Sequence, residues 1–492
     1  MAKKKIPQIK IDFDFYRDRV YACWIGKNIG GTMGGPFEGK KEVLDIKGFT
    51  TAPGEPLPND DLDLQLIWLH GMEQLGPKAI NAASLGELWL GLIPPNWNEY
   101  GIGKNNMRRG LQAPLSGDYE NSWKHSNGAW IRTEVWACMA PGAPALAAKY
   151  AMEDAKVDHG SGEGTPAAAF VAAMQSAAFL YQDIRKCIDL ALLTIPEESR
   201  MADSVRFILA CYDEGKDWLY ARNAIQQKNA DIGDGWFEAP SNVAYALIGL
   251  LWGEGDFKKS MITAINCGDD TDCTGATVGA TLGILGGNQV IPADWKEYIG
   301  DKIITISINK GDGRTGRSVP ETCTELSERV IRQAPHVLFE MQPNVSFGDS
   351  FMEEGAAEYL EEQCILLREE NPLTPFTAEF ESTLLRATLK YDDGIDIAPM
   401  EEKNLTITIG YRWCMGDELK NLNLRWWLPE GFSVKGRQTA ILNNKNSHHL
   451  PTATLQYTLS AGETLAPQNR CVLEVVAEGR SVPLYIPVIF LA

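Results

Sequence analysis

Two short acidic stretches carry most of the chemistry this sequence offers. The first, LPNDDLDLQLIWL (57–69), sets Asn59, Asp60 and Asp61 directly ahead of an amphipathic run carrying Leu62, Leu66 and Leu69. The second, INCGDDTDCTGATVGATLGILGG (265–287), crowds Asp269, Asp270 and Asp272 together, followed at once by Cys273 and Thr274. Asp or Asn just ahead of a helix accepts a backbone N–H that the first turn leaves unpaired, so one of these residues serves as an N-cap. A cap needs one acceptor. Adjacent carboxylates with no Lys or Arg among them repel unless water or a hard cation holds them. Oxygen donors dominate both stretches, and none of the six histidines lies inside either. Such a donor set favours magnesium, manganese or calcium over zinc. A single calcium site in the second stretch is the competing reading, although the twelve-residue EF-hand spacing is missing.

Both stretches adjoin segments built for close approach. In RVYACWIGKNIGGTMGGPFEGK (19–40), Ala22, Gly26, Gly30 and Gly34 recur every fourth residue, and Gly275, Gly279 and Gly283 do the same after the second stretch. Small side chains on one helical face let another backbone come near, at a cost of about 1 kcal/mol per glycine relative to alanine. Glu38 follows in a Gly-Pro-Phe-Glu-Gly turn; taken alone it reads as a surface carboxylate. Apolar spacings of three and four and Ala-rich runs such as PAAAFVAAMQSAAFLY predict helices over 14–345, interrupted by loops around 92–128 and 158–165. Beyond that, period-two alternation in FTAEFESTLLRATLKYDD, NLTITIGYRW, LNLRWWLP, TATLQYTLSAG and CVLEVVAEGRSVPLYIPVIFLA predicts an antiparallel, immunoglobulin-like β-sandwich. A short helix is expected at EEGAAEYLEEQCILLREE. The chain therefore reads as mainly α: an N-terminal tail (1–13), a helical domain (14–345) and a β-sandwich accessory domain (346–492). Trp426 and Trp427 are neighbours on one predicted strand, so they point to opposite faces and at most one meets a ligand.

Composition narrows the function. A formal net charge of −19 and no basic stripe exclude a non-specific nucleic-acid binder, which needs cations to displace counterions from phosphates. The run Lys3, Lys4, Lys5 reads as a solvated tip. Ten cysteines are scattered with no CxxC pair, the pattern of reduced thiols in a cytoplasmic protein. No segment is apolar for long enough to cross a bilayer, and the first residues contain no signal-peptide core.

The glycine-rich opening helix and the two acid stretches, in this order and spacing, resemble the ADP-ribosylglycohydrolase family. That family includes the dinitrogenase reductase-activating glycohydrolases and the ADP-ribosyl-protein hydrolases. Its opening helix ends in a Gly-rich turn with a glutamate, matched by GGTMGGPFEG and Glu38. Its first acid motif, Thr-Asp-Asp, is matched by Asn59-Asp60-Asp61. Its second, Gly-Gly-Asp-Thr-Asp-Thr, is matched by Gly268-Asp269-Asp270-Thr271-Asp272-Cys273. SNVAYALIGLLWGEGDFKKSMITAINCGDDTD resembles the helix pair that leads into the second motif, and the likeness spans roughly 14–335.

The resemblance implies an all-α catalytic domain in which Asn59, Asp60, Asp61, Asp270 and Asp272 face two divalent cations, Mg2+ or Mn2+. Two residues depart from the pattern. Asn59 stands where the family has threonine, and its amide oxygen remains a hard donor. Cys273 replaces a second threonine, and a thiol is a poor partner for a hard ion; Thr274 offers a hydroxyl instead, or the second position is weaker. The loop VDHGSGEG resembles the family's histidine-containing loop, making His159 a substrate-binding candidate, and Ser126, Asn127 and Gly128 a further wall. The implied reaction is metal-dependent hydrolysis of a glycosidic bond at ribose C1, most naturally of an ADP-ribosyl group. Glu38 is the first candidate for proton transfer and Asp269 the alternative. Two other readings stand beside it: the same scaffold acting on another N- or O-glycoside or a nucleoside derivative, or a non-catalytic structural member.

Overall fold

The computed structural model describes residues 5–233, 236–310, 318–412, 420–442 and 451–492. The proposed tip residues Lys3 and Lys4 lie outside them, as does Cys414. Two compact units emerge. One comprises Met1–Lys104 with Glu120–Leu373, the other Asn105–Tyr119 with Thr374–Ala492. Among the described residues no helix is long and apolar enough to cross a membrane.

The first unit is helical. Its opening helix α1 (Phe13–Gly34) is capped by Asp12, whose side chain accepts from the Phe15 N–H. The small-residue stripes of α1 and of the Thr271–Gly286 helix meet face to face. A Cβ added to Gly26 would lie 2.1 Å from the Gly279 carbonyl oxygen, and one on Gly30 or Gly34 equally close to the carbonyls of Gly275 and Thr271. The Thr271 hydroxyl donates to the Gly34 carbonyl at 2.8 Å, tying the end of one helix to the start of the other. The helix α2 (Asp60–Leu75) begins at the first acid stretch, and Asn59 is its cap, accepting from the Asp61 N–H at 2.7 Å.

The segment expected as loop around 92–128 contains a helix, Asn98–Arg108. Its sequence NEYGIGKNNMR has two glycines and no apolar stripe, so periodicity could not reveal it. Tertiary packing supplies what propensity lacks: Glu99 and Tyr100 are buried, and Gly103 lies against Asp158. A small sheet completes the unit, with β1 (Ile9–Ile11) between parallel β2 (Val345–Phe347) and antiparallel β3 (Phe351–Met352). The Ala356–Glu370 helix follows, where its sequence placed it.

The second unit consists of antiparallel sheets. β4 (Thr377–Glu381), β5 (Leu385–Tyr391), β6 (Glu402–Tyr411), β10 (Thr452–Ser460) and β8 (Ser433–Gly436) form one sheet in that order. β12 (Leu484–Leu491), β11 (Gln468–Ala477), β7 (Lys420–Trp427) and β9 (Thr439–Leu442) form the other. Alternate residues such as Leu405, Ile407 and Ile409 of the first sheet and Leu422, Leu424, Leu473 and Val475 of the second share one apolar core. The chain is thus a helical domain followed by antiparallel sheets. Trp426 packs edge-on against Tyr457, while Trp427 is exposed under the Arg425 guanidinium and donates to Glu474.

Candidate active site

Close contact between α1 and the Thr271–Gly286 helix brings the two acid stretches and the Glu38 turn to one place. One carboxylate oxygen each from Glu38, Asp270 and Asp272 lie within 4.8 Å of one another, as do ligand atoms of Asp61, Asp272 and Cys273. Asp272 belongs to both groups. Asp61, Asp270 and Asp272 are buried, whereas Glu38 reaches solvent. Asp61 Oδ2, Asp270 Oδ1 and Asp272 Oδ1 have no hydrogen-bond partner. An ionised carboxylate oxygen buried without a donor is costly, and the group responds by holding protons. Burial and then the charge of Asp272 push Asp270 well above the ordinary carboxylate range. Burial also raises Asp61, against the opposing pull of Lys27. Glu38 is raised to about 8, first by Asp272, then by burial and Asp60.

The remaining candidates sit around this group. Asp60 is half-buried and accepts from the Tyr100 hydroxyl at 2.9 Å. The Asn59 amide oxygen is engaged as the α2 cap. Thr274 directs its hydroxyl to the Thr271 carbonyl of its own helix, 3.3 Å away. Cys273 Sγ lies 3.4 Å from Asp61 Oδ1 as a donor. Asp269 falls outside both groups. Its carboxylate accepts from Asn242 Nδ2 at 3.0 Å, and its backbone, at φ 65°, exchanges hydrogen bonds with Gly39 and Lys40. A positive φ at a non-glycine residue is uncommon, and here it clamps the turn that carries Glu38.

The expected substrate wall is continuous with the acids. Asn127 Nδ2 donates to Asp270 Oδ2 at 2.6 Å, and its Oδ1 accepts from the Trp130 indole. Ser126 Oγ lies 3.2 Å from His159 Nε2, and His159 Nδ1 is 2.8 Å from Asp158 Oδ1. Behind them, the buried Arg132 guanidinium bridges Asp154 and Asp158 and donates to the Gly128 carbonyl. Sequence patterns missed several neighbours. Lys27 is fully enclosed, 3.1 Å from Glu134 and 3.9 Å from Asp61. A lysine inside a helix of small and apolar residues was the available signal. Glu99 lies beside Gly128, where burial raises it to about 6. Trp236, 43% exposed, lies beside Gly39 and carries Lys41 over its ring, an aromatic edge next to Glu38.

A helical unit of this build, with two acid motifs drawn together beside a polar wall, has the glycohydrolase fold. The chain belongs to the ADP-ribosylglycohydrolase family, whose profile matches residues 13–330. No curated protein matches it. Among solved structures it is similar to an ADP-ribosylglycohydrolase-related protein complex, at 18% identity and TM-score 0.44 over 65% of this chain and 99% of that one. It is also similar to a FixG-related protein from Vibrio parahaemolyticus, at 13% identity and TM-score 0.18 over 22% of this chain and 94% of that one. The yeast GGA1 GAE domain matches at 15% identity and TM-score 0.16, with the same two shares covered.

Proposed function

We propose that this chain hydrolyses a glycosidic bond at ribose C1, most naturally that of an ADP-ribosyl group, using two divalent cations, Mg2+ or Mn2+, and that it works in the cytoplasm. The carrying observation is the convergence of buried carboxylates whose oxygens have no donor: Asp61 Oδ2, Asp270 Oδ1 and Asp272 Oδ1. The all-oxygen group fits a hard cation, and Asp272 is common to both groups. Asp270 and Asp272 would hold one ion, with Glu38 beside it; Asp61, Asp272 and Cys273 would hold the other, with Asp60 alongside. When bound, such a pair supplies Lewis acidity and a template for the ribose hydroxyls.

The protein's own groups do the rest. Asn127 holds Asp270 in place through its amide and links the acids to the wall formed by Ser126, Gly128 and His159. Asp158, itself gripped by Arg132, orients the His159 ring through Nδ1. Glu38 is the acid that reaches solvent, so it is the group placed to exchange a proton with water at its carboxyl. Asp269 serves by clamping the Glu38 turn. Carboxylates near the sugar stabilise the positive charge that develops on the ring as the bond breaks.

Calorimetric titration of ADP-ribose into the protein, with Mg2+ or Mn2+ and then with chelator, tests the reading. Binding that requires metal supports it. Absence of binding by a protein that demonstrably holds metal moves the substrate to another N- or O-glycoside or a nucleoside derivative. Glu38→Gln should keep metal binding while lowering turnover by about 10²–10⁴-fold.

A further inference from the structure

The two halves of the acid group do not offer the same atoms. Glu38, Asp270 and Asp272 present oxygen alone; Asp61, Asp272 and Cys273 include a sulfur. We propose that the second half takes a borderline, thiophilic divalent ion (iron(II), cobalt(II) or zinc(II)), with Cys273 as a thiolate ligand, while the first half takes Mg2+ or Mn2+. This rests on the two-cation reading above and assigns the identity of one ion.

The ligand atoms that converge on the second half are those of Asp61, Asp272 and Cys273; the neighbouring hydroxyl, amide and carboxylate make hydrogen bonds elsewhere. Thr274, the adjacent hydroxyl, is bonded to the Thr271 carbonyl at 3.3 Å. The Asn59 amide oxygen caps α2 at 2.7 Å, and Asp60 accepts from Tyr100. Cys273 is only 5% exposed and its Sγ is directed at Asp61 Oδ1 from 3.4 Å. Asp272 Oδ1, in a residue 8% exposed, meets no donor group, an observation that points to a ligand independently of the cysteine. Magnesium demands near-ideal octahedral oxygen coordination and gains little from sulfur, whereas thiolates favour zinc, iron and other borderline ions. Lys27, 3.9 Å from Asp61 Oδ2, sharpens the difference. Its fixed positive charge offsets part of the carboxylate charge, and a thiolate restores it. The binding step balances as thiol plus metal ion giving a metal–thiolate bond and one proton, released to solvent. A coordinated thiol loses its proton outright even where the free group holds it firmly.

The test uses the full chain, stripped of metal and kept anaerobic, titrated with Co2+ while the near-ultraviolet sulfur-to-cobalt charge-transfer absorption is followed. Wild type should develop that absorption; Cys273→Ser and Cys273→Thr should lack it and bind this Co2+ about 10–100-fold more weakly. Mn2+ binding followed by electron paramagnetic resonance should survive in both variants at the all-oxygen half. X-ray absorption at the cobalt edge of the wild type should find sulfur at about 2.3 Å, and needs no variant to fold. Co2+ spectra without sulfur character, in a protein that still binds Mn2+, would overturn the assignment and leave the two-cation reading standing. Failure to bind either ion would overturn both.

Discussion

Adding a single methyl group at Gly30 should loosen the site from a distance. In an exposed helix, Gly→Ala stabilises by about 1 kcal/mol through backbone entropy. At Gly30 the new Cβ would lie 2.1 Å from both the carbon and the oxygen of the Gly275 carbonyl and 2.4 Å from the Ala276 nitrogen. Ordinary contact begins near 3.4 Å, so α1 and the Thr271–Gly286 helix must part by roughly 1 Å. The obstructing atoms are backbone and cannot rotate away. Overpacking of this kind costs about 1–3 kcal/mol, and with immobile backbone the upper end applies, leaving a net loss of about 2 kcal/mol after the helical gain. The helical unit's melting temperature should fall by about 3 °C. Glu38 hangs from the end of α1 while Asp270 and Asp272 begin the other helix, so the same displacement separates the carboxylates. Ligand geometry tolerates about 0.5 Å, and Mn2+ affinity should fall at least tenfold. Gly91→Ala is the control. Nothing lies within 4 Å of its added Cβ, so it should be neutral or stabilising by up to about 1 kcal/mol. Thermal unfolding and Mn2+ titration read both variants. A Gly30→Ala protein that melts at or above wild type with unchanged Mn2+ affinity would refute the close-approach argument.

Three further outcomes are expected. Glu99 is almost fully buried and raised from 4.5 to about 6, chiefly by burial, a shift equivalent to about 2 kcal/mol. Its folded-state pKa lies above the unfolded one, so its contribution favours folding fully below pH 4.5 and is lost as pH rises to about 6. The stability difference between Glu99→Gln and wild type, from denaturant unfolding, should therefore grow in the variant's favour across that window and level off above it. Arg132→Met should cost about 3–5 kcal/mol by leaving Asp154 and Asp158 buried without their cation, and ADP-ribose affinity should drop with it as His159 loses its orientation. Lys27→Met should be similarly destabilising because Glu134 and Asp61 stay behind. The double variant Lys27→Met, Glu134→Gln should recover much of that loss in thermal melts.

The helical and sandwich regions were legible because their apolar residues keep strict periods. Leu385, Ala387, Leu389 and Tyr391 alternate along β5, and the fourth-residue glycines of α1 mark the face it presents to the Thr271–Gly286 helix. The short strands β8 and β9 escaped notice, being too brief for alternation to register. The Asn98–Arg108 helix escaped because long-range packing against Asp158, not local propensity, holds Gly103 in place. In the site, the acids announced themselves by crowding. Their partners did not: Lys27, Tyr100 and Glu99 come from other segments, and only folding reveals that they share the same space.

How the helical unit treats its other buried carboxylates sharpens the case for cations. Asp154 and Asp158 are answered by Arg132. Glu134 is answered by Lys27 and by the amides of Gln65 and Gln175. One oxygen of Asp63 accepts from Ile306 N, Ser307 N and the Ser307 hydroxyl, and Asp269 has Asn242. Each of these acids is met by donors or by a charge that the fold itself supplies. Asp270 has one amide, from Asn127, and Asp272 Oδ1 has nothing. Lys27 and Arg132 are both committed to other carboxylates, so neither is available to neutralise this pair. Single oxygens of Asp63 and Glu99 also lack a donor; what sets Asp270 and Asp272 apart is that their oxygens lie within 4.8 Å of each other and of solvent-reaching Glu38. That convergence of oxygen donors is the feature on which the proposed divalent cations rest.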